Sequence, residues 1–576
     1  QTFPESVRRS QTNYEEVLKK QEKLEHFLER LTAKVFTNFR QIQVLDFPEL
    51  FEKLSYTEQL FLQDKAYRRM DFSSKNYYRY QLALLAKKNH IPEEEVADRV
   101  MKLSAQASEE RKRHIGYYLL CEPLGSTNVK KKNHILYTVS NIALIVLIKA
   151  VVFWILYAMG FRNLAFLALV GALSFLPVTD IAINLTNYLF LKCVKPTMIP
   201  KIELKGDVPD SAKTSVVISS LIFGPENIDD LIQKIESYYL ANKAEHVYFG
   251  ILGDLKDARS EHLPDDGENI NDLKTKIDAL NRKYKDKPFF ALVRSRTYSA
   301  TQGSYMGWER KRGAITEFAR YLKGNKKHSF SFRFGSEEEI LSSKYIVTLD
   351  SDTQPSIGSV RELIGAMIHP LNRAEIDWEK HRVTKGYGVI QPKINISLSS
   401  AYQSAFSKIF SGVGGFDPYA NVNSDIYQDN FSEGIFTGKG ILDVDVFADL
   451  VGELIPDNRV LSHDLLEGSI ARTALAGNIE FADGFPAKVS SYFARYHRWV
   501  RGDWQLLYFM KRTLTSRGKE KVKNPLSLLS RWKMVDNIRR SLVAPFVFLM
   551  LVSAAFLPFA WSVVQIVLAL LTLGIT

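Results

Sequence analysis

Two carboxylates spaced i and i+2, Asp350 and Asp352, close the run Tyr345-Ile-Val-Thr-Leu-Asp-Ser-Asp-Thr-Gln. A β-branched run followed by turn-prone residues and Pro355 predicts a strand that delivers both acids at its end. On an extended strand such side chains share one side, so they can converge on one ligand. A hard cation such as Mg²⁺ or Mn²⁺ prefers these oxygens and bridges well to a diphosphate. The same spacing is common in ordinary turns, so its weight comes from what stands around it. Gly434-Ile-Phe-Thr-Gly-Lys439-Gly440 is a glycine-rich turn whose amides could approach a sugar or phosphate. Leu461-Ser-His-Asp464-Leu-Leu-Glu467 offers an acid able to deprotonate a hydroxyl nucleophile; the competing reading is a helix cap. Arg495-Tyr-His-Arg498-Trp499-Val-Arg501-Gly-Asp-Trp504 suits a diphosphate beside a stacked sugar. A basic helix packed near lipid is its bland alternative.

Strands and helices must position these groups. Thr214-Ser-Val-Val-Ile-Ser-Ser-Leu-Ile reads as a buried strand and residues 227–240 as a helix. Further strands are predicted for residues 246–254, ending in Asp254, for residues 289–294, and for residues 344–349. Strands alternating with helices indicate an α/β sheet, whose ligands sit at the carboxyl ends of strands. Asp254, Asp350 and Asp352 all fall at such ends, which strengthens the paired-acid signal.

Around this block the character of the chain changes. The 576 residues are 46% hydrophobic and 24% charged, with a net charge of +12. A basic balance suits phosphate-bearing substrates, anionic lipid or nucleic acid, but no nucleic-acid-binding signature is present. Two cysteines, Cys121 and Cys193, support neither a disulfide framework nor a cysteine metal site. No signal peptide opens the sequence; the first residue is not Met and the last are apolar, so a longer parent chain is expected. Residues 1–133 are predicted to be a helical domain with a docking or scaffold role. Residues 134–195 hold two apolar runs, 135–161 and 164–191, long enough to span a bilayer. Lys149 interrupts the first; Pro177, Asp180, Asn184 and Asn187 make the second half of the other polar, with a kink expected at Pro177. Residues 196–523 form the soluble α/β block, and 524–541 an amphipathic basic helix expected on the membrane surface. Residues 542–576 hold further apolar spans. Lysines before the first span and after the second place both flanks in the cytoplasm.

In order and context, these pieces resemble the processive, inverting GT-A glycosyltransferases, a plan that cellulose and hyaluronan synthases share. The local wording is closer to the cyclic β-1,2-glucan synthases: Gly386-Tyr-Gly-Val-Ile-Gln-Pro, Phe410-Ser-Gly, Asp417-Pro-Tyr419, Asp425-Ile-Tyr-Gln-Asp429, Thr437-Gly-Lys-Gly-Ile, Leu461-Ser-His-Asp-Leu-Leu-Glu-Gly, His497-Arg-Trp-Val-Arg-Gly-Asp-Trp-Gln and, near the start, His114-Ile-Gly-Tyr-Tyr-Leu. The resemblance implies a Rossmann-like α/β GT-A domain flanked by an N-terminal helical domain and transmembrane helices. It implies an inverting transfer from UDP-glucose, with Mg²⁺ or Mn²⁺, to a growing β-glucan. By motif, Asp254 would hold the uridine end, Asp350 and Asp352 the metal diphosphate, and Asp464 would be the general base. Lys311 and Arg312, in Trp308-Glu-Arg-Lys-Arg-Gly-Ala, would reach the diphosphate, as would Lys439 in the glycine-rich turn. Arg495, Arg498 and Trp499 would meet diphosphate and acceptor. Two departures stand out: Arg495 replaces the usual Gln of Gln-x-x-Arg-Trp, and Ser-His-Asp replaces Thr-Glu-Asp. The family is thought to grow glucan on a tyrosine of the protein, for which Tyr419 and Tyr427 are the candidates. It also carries a C-terminal phosphorylase-like region, absent here, and works as a multi-pass protein of the bacterial inner membrane with its catalytic domain in the cytoplasm. The alternatives are a synthase of another, cellulose-like linkage and a non-catalytic membrane transporter or scaffold with a nucleotide-sugar-binding domain. A glycoside hydrolase would leave the paired acids and the Arg-Trp cluster unexplained.

Overall fold

In the computed structural model, which describes residues 5–44, 47–126, 131–412, 425–460 and 464–575, the β-branched runs assemble into one nine-stranded mixed sheet. Its strands are β1 (Thr214–Ile222), β2 (Val247–Leu255), β3 (Phe289–Arg294), β4 (Phe330–Gly335), β5 (Tyr345–Leu349), β6 (Thr353–Pro355), β7 (Val389–Ile396), β8 (Gly440–Asp443) and β9 (Thr473–Asp483). They lie in the order β4, β3, β2, β1, β5, β8, β7, β9, β6. β3, β2, β1 and β5 are parallel. β8 inserts antiparallel between β5 and β7, β7 and β9 run parallel, and the edge strands β4 and β6 are antiparallel.

Both faces are covered, as parallel strands require. Alternate residues of β1 feed two separate cores. Val216 and Ile218 pack with Ile228, Leu231 and Ile235 of helix Gly224–Asn242. Val217 packs with Ile315, Phe318 and Ala319 of helix Arg310–Leu322. The helical residues recur at three- and four-residue spacing, so each helix buries one stripe. The expected α/β domain is therefore present and Rossmann-like.

The apolar runs form helices. Ile135–Ala158 and Leu528–Ala554 are each long and apolar enough to cross a membrane, and Leu164–Leu173 with Phe175–Cys193 makes a third candidate bent by 48°. Trp561–Gly574 is a shorter apolar helix. The bend falls at Ser174, not at Pro177. A proline ring clashes with the carbonyl four residues back, here Leu173, so the distortion precedes the proline itself. Lys149 closes the break: its ammonium donates to the Gly171 carbonyl and to the Ser174 hydroxyl.

A second difference concerns residues 524–541. Its residues 528–541 do not stand as a separate helix but are the first half of Leu528–Ala554, continuous with the span. Lys533 is buried and donates to the carbonyls of Glu433 and Gly434, and Arg539 bridges Asp536 and Asp180. Trp532 packs with Tyr137, Ile426 and Tyr427. Groups that read as a membrane-facing basic stripe are thus used to clamp the α/β domain to the apolar helices.

The N-terminal helices from Tyr56 onward bury Phe61, Tyr67, Tyr78, Val96 and Val100 together with Ile202 and Leu371 of the α/β block. Asp64 takes a hydrogen bond from His114, whose other ring nitrogen meets the Tyr78 hydroxyl beside His369. The helical domain is therefore docked on the sheet domain by a shared core.

Candidate active site

β5 stops at Leu349, one residue before Asp350. The two acids are therefore aimed by a turn and not by the pleat of a strand. The Thr353 amide closes that turn on the Asp350 carbonyl. Helix Gly224–Asn242 braces it from one side: Lys234 donates to the Ser351 carbonyl and Tyr238 to the Thr353 carbonyl. From the other side the Gly484 amide donates to the Asp352 carbonyl.

Three cations converge on the pair. Lys311 Nζ lies 2.5 Å from Asp350 Oδ1 and donates to the Gly438 carbonyl at 2.6 Å. Lys439 Nζ lies 3.1 Å from Asp350 Oδ2 and 2.6 Å from Asp483 Oδ2. Arg495 donates to Asp352 Oδ2 at 2.9 Å. Burial works to raise the Asp350 pKa, but Lys311 and Lys439 outweigh it and hold the carboxyl well below the usual carboxylate range. Burial likewise opposes the charge of Lys439, and Asp350 with Asp483 overcomes it, pushing the ammonium above its ordinary range. A carboxylate pair ringed by lysines and an arginine can exchange these partners for the oxygens of a diphosphate.

Asp464 joins this cluster through the glycine-rich turn. Gly438 has φ +88°, and a Cβ there would lie 2.7 Å from Asp464 Oδ2. The Asp464 carboxyl therefore rests directly against the residue whose carbonyl holds Lys311. The turn is pinned by Gln391 of β7, which accepts from the Thr437 amide and hydroxyl. Positive φ and a neighbour this close leave no room for another residue at position 438.

Asp254 lies one residue before the end of β2, where it is held by a buried arginine. Both of its oxygens accept from Arg294, at 2.7 and 2.8 Å. Arg294 is fully buried and also donates to the carbonyls of Trp308 and Arg310. This clamp fixes the chain on either side of Glu309 and so sets where Lys311 begins its helix. Arg312 does not face the cluster. Its side chain is 2% exposed and pairs with Glu309. Burial pulls its charge below the usual guanidinium range, with Glu467 and Asp457 opposing. Successive helical residues point about 100° apart, so Lys311 and Arg312 cannot both reach the strand ends.

On helix Val489–Gln505, Arg495 turns toward Asp352, while Arg498 and Trp499 remain exposed. The residue that departs from the familiar motif is thus the one that touches the paired acids. Tyr427 is 2% exposed and lies under Lys533, 5.3 Å from its ring centroid; its ring belongs to the apolar cluster with Tyr137. Tyr419, Ser462 and His463 lie outside the described residues. Asp483, which the sequence reading passed over, ends β9 and also accepts from the Thr353 hydroxyl at 2.7 Å. The available signal was an acid at the end of a strand-like stretch, Thr473 to Asp483, whose apolar residues are interrupted by Gly477, Asn478 and Glu480.

Among the described residues, no group of three or more His, Cys, Asp or Glu side chains is placed to hold a metal. Asp350 and Asp352 have side chains one-third exposed. They fit the other common arrangement, in which one or two carboxylates share Mg²⁺ with waters and substrate phosphates.

A Rossmann-like domain with acids and lysines converging at its strand ends, clamped to membrane-length helices, defines a membrane-attached α/β protein with an anion-ready site. No known family profile matches the chain. A curated protein, the cyclic β-(1,2)-glucan synthase NdvB of Rhizobium meliloti (strain 1021), is 34% identical over 538 residues. The alignment takes in 89% of this chain, and the chain spans about a fifth (19%) of that relative's length. This similarity supports placing the chain with the cyclic β-glucan synthases over the region it shares with that relative.

Proposed function

We propose that the chain is a glucan synthase unit with a GT-A-type site that transfers glucose from UDP-glucose, with inversion, to lengthen a β-1,2-glucan. One observation carries the reading: Lys311 bridges Asp350 to the carbonyl of Gly438, the residue against which Asp464 lies. Donor-side charge and a base are thereby neighbours. In this reading Asp464 takes the proton of the acceptor hydroxyl as its oxygen bonds to the anomeric carbon. The bond from that carbon to the diphosphate breaks, and UDP leaves with the electron pair. Lys311, Lys439 and Arg495 meet the charge that develops on it. A divalent cation at Asp350 and Asp352 would supply further charge neutralisation. Arg498 and Trp499 are assigned to the acceptor side, where an exposed aromatic can stack on a sugar. The apolar helices anchor the site at the bacterial inner membrane with the α/β domain in the cytoplasm, and a phosphorylase-like region of the longer chain acts on the same glucan. Tyr419 is the primer candidate, because Tyr427 is buried.

The test is membranes carrying the full chain, supplied with radiolabelled UDP-glucose and Mg²⁺ or Mn²⁺, with linkage analysis of the product. Label in β-1,2-linked glucan is expected. Asp464→Asn should lower turnover by about 100-fold or more, as should Asp352→Ala. Unchanged turnover in either variant removes that residue from its role. Peptide mass spectrometry that finds no hexose ladder on Tyr419 or Tyr427 removes the tyrosine primer.

A further inference from the structure

Helix Glu5–Val44 runs for 40 residues, about 60 Å at 1.5 Å per residue. Every described side chain along it is exposed, and its side-chain hydrogen bonds, such as Gln21 to Glu25 and Thr32 to the Leu28 carbonyl, stay within the helix. Yet it carries large apolar groups at regular spacing. Val17, Leu24 and Leu31 recur every seven residues, and so do Leu28, Val35 and Ile42. The second set starts four residues after Leu24, so the two sets interleave by alternating steps of three and four. This is a heptad seam with Val17, Leu24 and Leu31 at d and Leu28, Val35 and Ile42 at a.

We propose that this helix pairs with the same helix of a second copy of the chain as a parallel, in-register, two-stranded coiled coil. Two features of the seam choose this occupant. First, two of the three apolar residues named at a are β-branched (Val35 and Ile42, beside Leu28) and two of the three at d are leucines (Leu24 and Leu31, beside Val17), a balance that favours two parallel strands. Second, between Tyr14 and Ile42 the seam carries two polar amides, Gln21 at a and Asn38 at d. In a parallel, in-register pair each meets its own copy and can be hydrogen-bonded. In the fully overlapped antiparallel pair, Gln21 would face the partner's Leu31 and Asn38 the partner's Tyr14.

The flanking charges agree. Lys20 at g faces the partner's Glu25 at e in the parallel register. Reversal would set Lys20 against the partner's Lys34, and Glu25 against the partner's Glu25. A lipid surface is the other possible cover. Helices that lie on membranes carry a Lys- and Arg-rich polar face, whereas here Glu16, Glu22 and Glu29 alternate with Lys19, Lys23 and Arg30.

The experiment uses the full chain in nanodiscs, with the exposed free cysteines Cys121 and Cys193 changed to serine. Leu31→Cys should cross-link under mild oxidation to a band of two chains, because d positions of a parallel pair lie within disulfide reach. Lys23→Cys, on the outer face, should not. Lys20→Glu should weaken dimerisation about tenfold by mass photometry, since it turns two symmetric attractions into repulsions. Adding Glu25→Lys should restore it. A single-chain mass with no cross-link at Leu31→Cys overturns the proposal, as does equal cross-linking at Lys23→Cys. A tighter dimer with Lys20→Glu overturns the parallel register. Leu31→Cys carrying a thiol-attached photoactivatable cross-linker that labels lipid, or another part of the same chain, overturns the occupant.

Discussion

Replacing Lys311 by Met separates rate from stability at this site. The ammonium touches Asp350 Oδ1 at 2.5 Å and the Gly438 carbonyl at 2.6 Å, with about a fifth of the lysine side chain and a third of the Asp350 side chain exposed. An ion pair that open to water contributes about 1 kcal/mol to folding, and Lys439 remains beside Asp350 to limit the loss. In the transfer, the same cation would face charge appearing on the departing diphosphate. Removing one such preorganised donor costs about 3–4 kcal/mol, or roughly 10²–10³ in kcat. The assay is UDP-glucose turnover in membranes alongside thermal unfolding of the purified protein. Lys311→Met should lose that factor mainly in kcat, with only a small fall in midpoint. pH adds a second readout. The Asp350 pKa is held down in the folded protein by Lys311 and Lys439. Its stabilisation is thus full above the unfolded value of about 4 and is lost as pH falls through the lower folded value. The midpoint gap between Lys311→Met and the parent should narrow as pH drops below about 4. Turnover within threefold of the parent would refute the reasoning, as would a gap that widens in acid.

Three further outcomes follow from other contacts. Asp483→Asn removes the nearly buried partner of Lys439, 7% exposed; it should destabilise the fold by about 2 kcal/mol, and an unchanged unfolding midpoint would count against that anchor. Asp425 is buried, and burial pushes its pKa up to about 6. An acid whose folded pKa is raised loses stability as pH rises from the unfolded value of about 4 through 6, so Asp425→Asn, which retains a capping oxygen for the Tyr427 and Gln428 amides, should raise the midpoint at pH 7 and leave it unchanged near pH 4. Arg539→Met strands Asp180, whose side chain is 3% exposed, and should cost about 3–5 kcal/mol; Asp180→Asn with Arg539→Met should recover much of it, and additive losses in the double variant would refute a direct pair.

The sequence by itself determined the parallel heart of the sheet. β1, β2, β3 and β5 are rich in β-branched, aromatic and other apolar residues with few charges, and such stretches have few alternatives to a strand covered on both faces. It also determined which residue types crowd the site, since acids at strand ends in an α/β sheet share one edge. The tertiary structure alone decided how they are used. Asp254 and Asp350 look equivalent in sequence, yet one is locked by Arg294 and the other is ringed by lysines from distant turns. Lys311 and Arg312 are adjacent, and only helical rotation about the Arg310–Leu322 axis separates the exposed cation from the buried one. Residues 528–541 have the composition of a surface helix, but Glu433, Gly434 and Asp180 lie opposite their charges. Local pattern fixes the direction in which a side chain leaves the backbone. The partner it meets there comes from elsewhere in the chain, by contacts that no spacing records.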